Sequence, residues 1–163
     1  MSKIYVAAFY STALLIGLFT ADANADALVN VKLTDTGVVT DLSKSMGLGM
    51  AMNADMSKAT MSIKINPVSV LHGKVKFYVT NASSSVIHEM ILSPVSDTKK
   101  TLPYIDKDNK VDEESFIHLG EVSELDPGKS GSLIVDVKPG KYILYCNLPG
   151  HYMAGMWTML EVR

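Results

Sequence analysis

Three features of the sequence predict an all-β fold, an antiparallel sandwich or barrel. Short runs with β-type alternation follow one another, turn residues separate them, and helical periodicity is scarce. Leu28 to Leu33 reads L-V-N-V-K-L and Met61 to Ile65 alternates strictly, so each run offers one apolar face. Val75 to Val79 comes next, closed by Asn81 and three serines. Ile87 to Leu92, Leu133 to Val137, Tyr142 to Tyr145 and Met156 to Val162 complete the set. Pro67, Gly73, Pro94, Pro127-Gly128 and Pro139-Gly140 punctuate these runs. Neither an internal repeat nor an interdomain linker interrupts the series.

Two segments break the rhythm. Residues 41–61 carry Met46, Met50, Met52, Met56 and Met61, and Asp41 to Lys58 reads as a loop or a short helix. Residues 93–118 form a polar stretch that turns acidic, read as a solvated insertion with one helical turn near Glu113.

The N-terminus has the three parts of a secretory signal: Lys3, an apolar run from Ile4 to Phe19, and the small residues Ala21 to Ala25. The run is short of the ~20 residues that span a bilayer, which argues against a membrane anchor. Cleavage is expected after residue 25, with Ala27 as the second choice. Residues 26–163 would then be one exported, periplasmic domain with no membrane span, expected to be monomeric. A net charge of -2 argues against nucleic acid as a partner.

Cys146 is the only cysteine, so no intramolecular disulfide is possible, and an odd thiol in an exported chain needs a reason. Its surroundings supply one. In Tyr142-Ile143-Leu144-Tyr145-Cys146-Asn147-Leu148-Pro149-Gly150-His151-Tyr152-Met153-Ala154-Gly155-Met156, Cys, His and Met recur at five-residue intervals between two strand-like runs. A thiolate, an imidazole and a thioether are soft or borderline donors, suited to copper and poorly suited to magnesium or calcium. A second imidazole must come from elsewhere. His72 lies in a turn and His118 in the acidic stretch, whereas His88 opens the apolar run Met90-Ile91-Leu92.

The segment resembles the copper loop of the cupredoxins, the family of plastocyanin, azurin and rusticyanin. The shared pattern is Y-x-x-Y-C, four residues to His and four more to Met, with I-H-E-M-I-L resembling the other ligand strand. The equal gaps are most similar to the rusticyanin loop. The resemblance covers Thr60 to Arg163, and more loosely from Leu28. It implies a Greek-key β-sandwich with one type 1 copper cycling between Cu(II) and Cu(I). Cys146, His88 and His151 would be its ligands, with Met156 as the weak axial one. Met153, two residues past His151, leaves too little chain to reverse beneath a metal. Glu89 stands where plastocyanin and azurin carry an Asn that braces the Cys loop, which leaves that brace open, with Asn81 or Ser83 to Ser85 as the substitutes the sequence offers.

Four protein ligands leave no open position for substrate, so the resemblance implies no enzyme. It implies instead a one-electron carrier between redox partner proteins, with the edge of His151, ringed by Leu148, Pro149, Tyr152 and Met153, as the electron port. The alternative is a copper-tolerance or copper-delivery protein working with copper-handling partners, in which the Met-rich segment binds Cu(I). In that segment the same methionines also serve as flexible apolar filler.

Overall fold

The computed structural model describes residues 25–37 and 41–163; the expected signal segment, residues 1–25, lies almost wholly outside them. Among the described residues the strands are β1 (Ala27–Asp35), β2 (Met61–Asn66), β3 (Ser69–Val70), β4 (Gly73–Asn81), β5 (His88–Val95), β6 (Tyr104–Ile105), β7 (Lys110–Val111), β8 (Gly120–Leu125), β9 (Ser130–Val137), β10 (Gly140–Tyr145) and β11 (Trp157–Val162). One sheet has the order β2-β1-β4-β9, the other β3-β11-β10-β5-β8, and β6 and β7 form a small separate hairpin. Connections from β4 to β5, β8 to β9 and β9 to β10 cross between the sheets, the Greek-key pattern of a sandwich. Among the described residues, two pairings are parallel, β1 with β4 and β3 with β11.

Alternation explains the four-stranded sheet. Val29, Val31 and Leu33 of β1 and Val75, Phe77 and Val79 of β4 point into the sandwich, while Asn30, Lys32, Lys76 and Tyr78 point away. Burying one such side chain contributes roughly 1.5–3 kcal/mol.

The five-stranded sheet follows a different rule. Tyr142, Ile143, Leu144 and Tyr145 of β10 are all buried, because both faces of this strand are covered. Tyr142 and Leu144 join the cluster between the sheets. Ile143 and Tyr145 join a second cluster with Ile91, Met50, Leu102, Val111, Tyr152 and Met153.

That second cluster changes the reading of both irregular segments. Residues 93–118 are not merely solvated: Leu102 and Val111 are buried, and only part of the stretch faces water. The helical turn near Glu113 is present as a 3-10 turn over Glu113–Ser115. The Met-rich segment is a loop with one 3-10 turn at Met56–Lys58, capped by the Asp55 carboxylate accepting from the Ser57 amide. β8 escapes the sequence reading because it is an edge strand with few apolar residues, of which Val122 alone is fully buried.

Candidate metal centre

Strand pairing assembles the site before any side chain is considered. β10 lies between β11 and β5, with Tyr145 opposite Trp157 on one side and Ile91 on the other. The end of β10, the start of β11 and the start of β5 therefore meet at one edge of the sandwich. The loop from Cys146 to Met156 closes there, the Cys146 amide donating to the Met156 carbonyl at 3.1 Å and the Met156 amide to the His151 carbonyl at 3.1 Å. A register shift between His88 and Met90 against β8 marks a bulge. Bulges re-aim side chains: His88 is wholly buried, and Glu89 reaches across to the loop.

His88, Cys146 and His151 come together. Their donor atoms lie within 4.8 Å of one another, with His88 Nδ1 3.3 Å from His151 Nδ1 and Cys146 Sγ 3.4 Å from that same nitrogen. Bonds of roughly 2.0–2.3 Å from one ion to two nitrogens and a sulfur put the donors roughly 3.5–3.8 Å apart in a trigonal plane. The observed spacing suits such an ion, and two imidazoles with a thiol form a soft-to-borderline set. Met156 is fully buried on the same loop, in the cluster that holds Cys146. Met153 is turned to the opposite face, into the cluster with Met50 and Tyr152. His72 and His118 are exposed and do not join this cluster, His72 bonding the Arg163 carbonyl at 3.0 Å.

Electrostatics make these donors basic only when a cation competes. Burial pushes the Cys146 thiol up to about 12, against backbone N–H groups of Glu89 and Leu148 that donate to the sulfur and favour the thiolate. An ion taking the thiolate must therefore displace a proton. Burial and the neighbouring His88 push His151 down to about 4. Burial also lowers His88, opposed by the Asp35 carboxylate. Both imidazoles are thus neutral at pH 7, with lone pairs to offer.

The brace left open by Glu89 is Glu89 itself. Its Oε1 accepts the Asn147 amide at 2.8 Å, next to Cys146. Burial, and then the nearby Glu113 charge, raise its carboxyl, opposed by that amide bond. The Asn147 side chain continues the contact, bonding the amide and carbonyl of Val111 and the Glu113 carboxylate. Asn81 and Ser83 hold a different part. Asn81 donates to the carbonyls of Val86 and Leu125, and Ser83 accepts from the amides of Ser85 and Val86, fixing the turn that delivers His88.

The rim of the site departs from the expected ring. Tyr152 and Met153 are buried inward, the Tyr152 hydroxyl accepting the Met50 amide at 2.9 Å. Leu148 and Pro149 of that ring line the depression at His151, joined by Ser85, Val86, Ile87 and Glu124. Of the five methionines in the Met-rich segment, Met50 and Met61 are buried filler and the Met46 sulfur accepts the Thr60 hydroxyl, while Met52 and Met56 are exposed.

Comparison with known proteins bears on the same residues. Dithionite-reduced auracyanin from the photosynthetic bacterium Roseiflexus castenholzii is 15% identical, with a TM-score of 0.50 covering 84% of this chain and 96% of that one. Auracyanin B is 19% identical at TM-score 0.50, covering 87% and 92%. Rusticyanin from Thiobacillus ferrooxidans is 15% identical at TM-score 0.53, covering 86% and 79%. At such identities the likeness establishes the fold. A search of curated proteins finds no match. Residues 50–163, most of the chain, match the copper binding proteins of the plastocyanin/azurin family. The chain therefore belongs to that family, a cupredoxin whose cofactor is a single type 1 copper.

Proposed function

We propose that His88, Cys146, His151 and Met156 hold the copper, and that the protein is an exported one-electron carrier between redox partner proteins. Bound there, copper supplies a Cu(II)/Cu(I) couple that accepts or gives one electron. The convergence of two imidazole nitrogens and a thiol in a buried pocket is the observation that carries this reading. Met156 is chosen over Met153 because it shares the cluster of Cys146, whereas Met153 faces away.

The surrounding residues favour electron passage over catalysis. Cys146 and His88 are wholly covered and His151 is 6% exposed, so no substrate reaches the donors. The His151 edge opens toward Val86, Ile87, Leu148 and Pro149, with Ser85 and Glu124 beside them, a mainly apolar rim on which a partner can seat. Three of the five segment methionines are committed to packing or a hydrogen bond, which favours the carrier over a Cu(I)-delivery role for that segment. Export of residues 26–163 is part of the proposal, and no helix among the described residues is long and apolar enough to cross a membrane.

The test is Cys146→Ser in the copper-loaded protein. Loss of the intense visible thiolate-to-copper absorption is expected; persistence of that band would refute the ligand assignment. Wild-type protein should also show fast, reversible electron self-exchange.

A further inference from the structure

We propose that Asp35 is a positioning residue of the metal centre, fixing the tautomer of His88 and lowering the reduction potential through its charge. The metal half of this inference rests on the ligand reading above; the tautomer half does not. Asp35 ends β1 in the four-stranded sheet, whereas His88 opens β5 in the other, so the contact spans the sandwich. Asp35 Oδ2 lies 3.3 Å from His88 Nε2, with the two side chains 7% and 0% exposed.

The chemistry of the pair decides the proton. An ionised carboxylate only accepts, so His88 Nε2 must donate, and a neutral imidazole protonated there presents its lone pair at Nδ1. Nδ1 is the atom that faces His151 and Cys146. A His88 with the opposite tautomer would aim an N–H into the site and waste the donor. The Asp35 contact is thus what makes His88 competent, as partners of metal-bound imidazoles generally are.

The carboxylate is itself held. Oδ1 accepts the Gly37 amide at 2.7 Å, and the Ser83 hydroxyl donates to the carboxylate. Ser83 also accepts the amides of Ser85 and Val86, so Asp35 is tied to the turn that leads into His88. A fixed negative charge one imidazole away from the ion stabilises Cu(II) more than Cu(I), because the oxidised ion carries one charge more.

Asp35→Asn and Asp35→Ala separate the two effects at pH 7.5. The Asn side chain can still accept the Nε2–H but carries no charge. It should keep the visible band and the tautomer while costing Cu(II) at least tenfold more affinity than Cu(I). For a one-electron couple that is a potential higher by about 59 mV. The Ala variant has no acceptor, should admit the Nδ1–H form, and should bind Cu(II) 10–100-fold more weakly, in line with about that loss for other ligand-orienting partners. The tautomer is read from the 15N shifts of the His88 ring in copper-free wild-type protein. A proton on Nδ1 there overturns the positioning role, and an Asp35→Asn potential equal to or below wild type overturns the tuning role. Absence of the thiolate band from copper-loaded wild type would instead refute the ligand reading, leaving the nitrogen shifts to judge the Asp35–His88 contact alone.

Discussion

Two turns built on the same Pro-Gly pair should respond very differently to the same substitution. Asp126-Pro127-Gly128-Lys129 and Leu148-Pro149-Gly150-His151 each close with an amide-to-carbonyl bond of 3.0 Å between first and fourth residues, and Gly128 and Gly150 have φ of 75° and 81°. Pro at the second position and positive φ at the third mark type II turns. Alanine in that conformation costs about 1–2 kcal/mol, offset in part by about 0.4–1 kcal/mol from the stiffer unfolded chain. At Gly128 a Cβ meets nothing within 4 Å, so Gly128→Ala should lose about 1 kcal/mol, the backbone cost alone. At Gly150 the Cβ would sit 2.6 Å from the Leu42 carbonyl oxygen, 2.8 Å from Leu42 Cβ and 3.1 Å from Asn109 Nδ2. That carbonyl already accepts the Asn109 side chain, and the Gly150 amide donates to the Asn109 carbonyl at 2.8 Å, so none of these atoms can yield alone. Overpacking of this kind adds about 1–3 kcal/mol to that backbone cost, for a total of about 2–4 kcal/mol. Urea unfolding of the copper-free proteins, with equal m-values, reads the difference. If Gly150→Ala falls within about 0.5 kcal/mol of Gly128→Ala, the close packing of Leu42 and Asn109 on the copper loop is wrong.

The cover over the site makes two further predictions. Tyr152→Phe strands the buried Met50 amide and should cost about 1–3 kcal/mol, with faster hydrogen exchange at Met50 as the local readout. Replacing both exposed methionines, Met52 and Met56, by Leu should leave copper bound at one ion per chain, measured by Cu(I) titration; a lost second ion would revive the delivery reading.

Period-two runs such as Leu28 to Leu33 and Val75 to Val79 were legible because one face of their sheet is wet. The Cys146 loop was legible because a metal demands particular donor types at workable spacing, and chain-local spacing survives folding. His88 was accessible from its place at the head of an apolar run. The contacts that act on the ligands were not. Asp35 lies two residues beyond the alternating run Leu28 to Leu33, and nothing local shows that its side chain reaches across to the other sheet. Glu89 invites the conclusion that a brace is missing, because sequence shows a changed residue type and not the reach of a longer side chain. Tyr152 and Met153 face inward because two irregular segments fold over the sheet, and their cover is held by dispersed contacts such as the Trp157 indole donating to the Leu48 carbonyl at 2.7 Å.

Those dispersed contacts have a joint consequence for the loop. The amides of Cys146, Asn147, Gly150, His151, Ala154, Gly155 and Met156 donate to Met156, Glu89, Asn109, Leu148, Gly150, Tyr152 and His151 respectively, and that of Leu148 to the Cys146 sulfur. These partners come from β5, from the 93–118 segment and from the loop itself, and none of them is an ion. A loop with most of its amides satisfied by protein resists rearrangement whether or not metal is bound, because each backbone group left unpaired would cost about 1–3 kcal/mol. The donors therefore cannot follow the different preferences of Cu(II) and Cu(I), and a site that moves little between charge states suits a carrier of single electrons. With Cys146 and His88 wholly buried and His151 6% exposed, the His151 edge is the centre's short route to solvent, where Ile87, Leu148 and Pro149 form part of the rim.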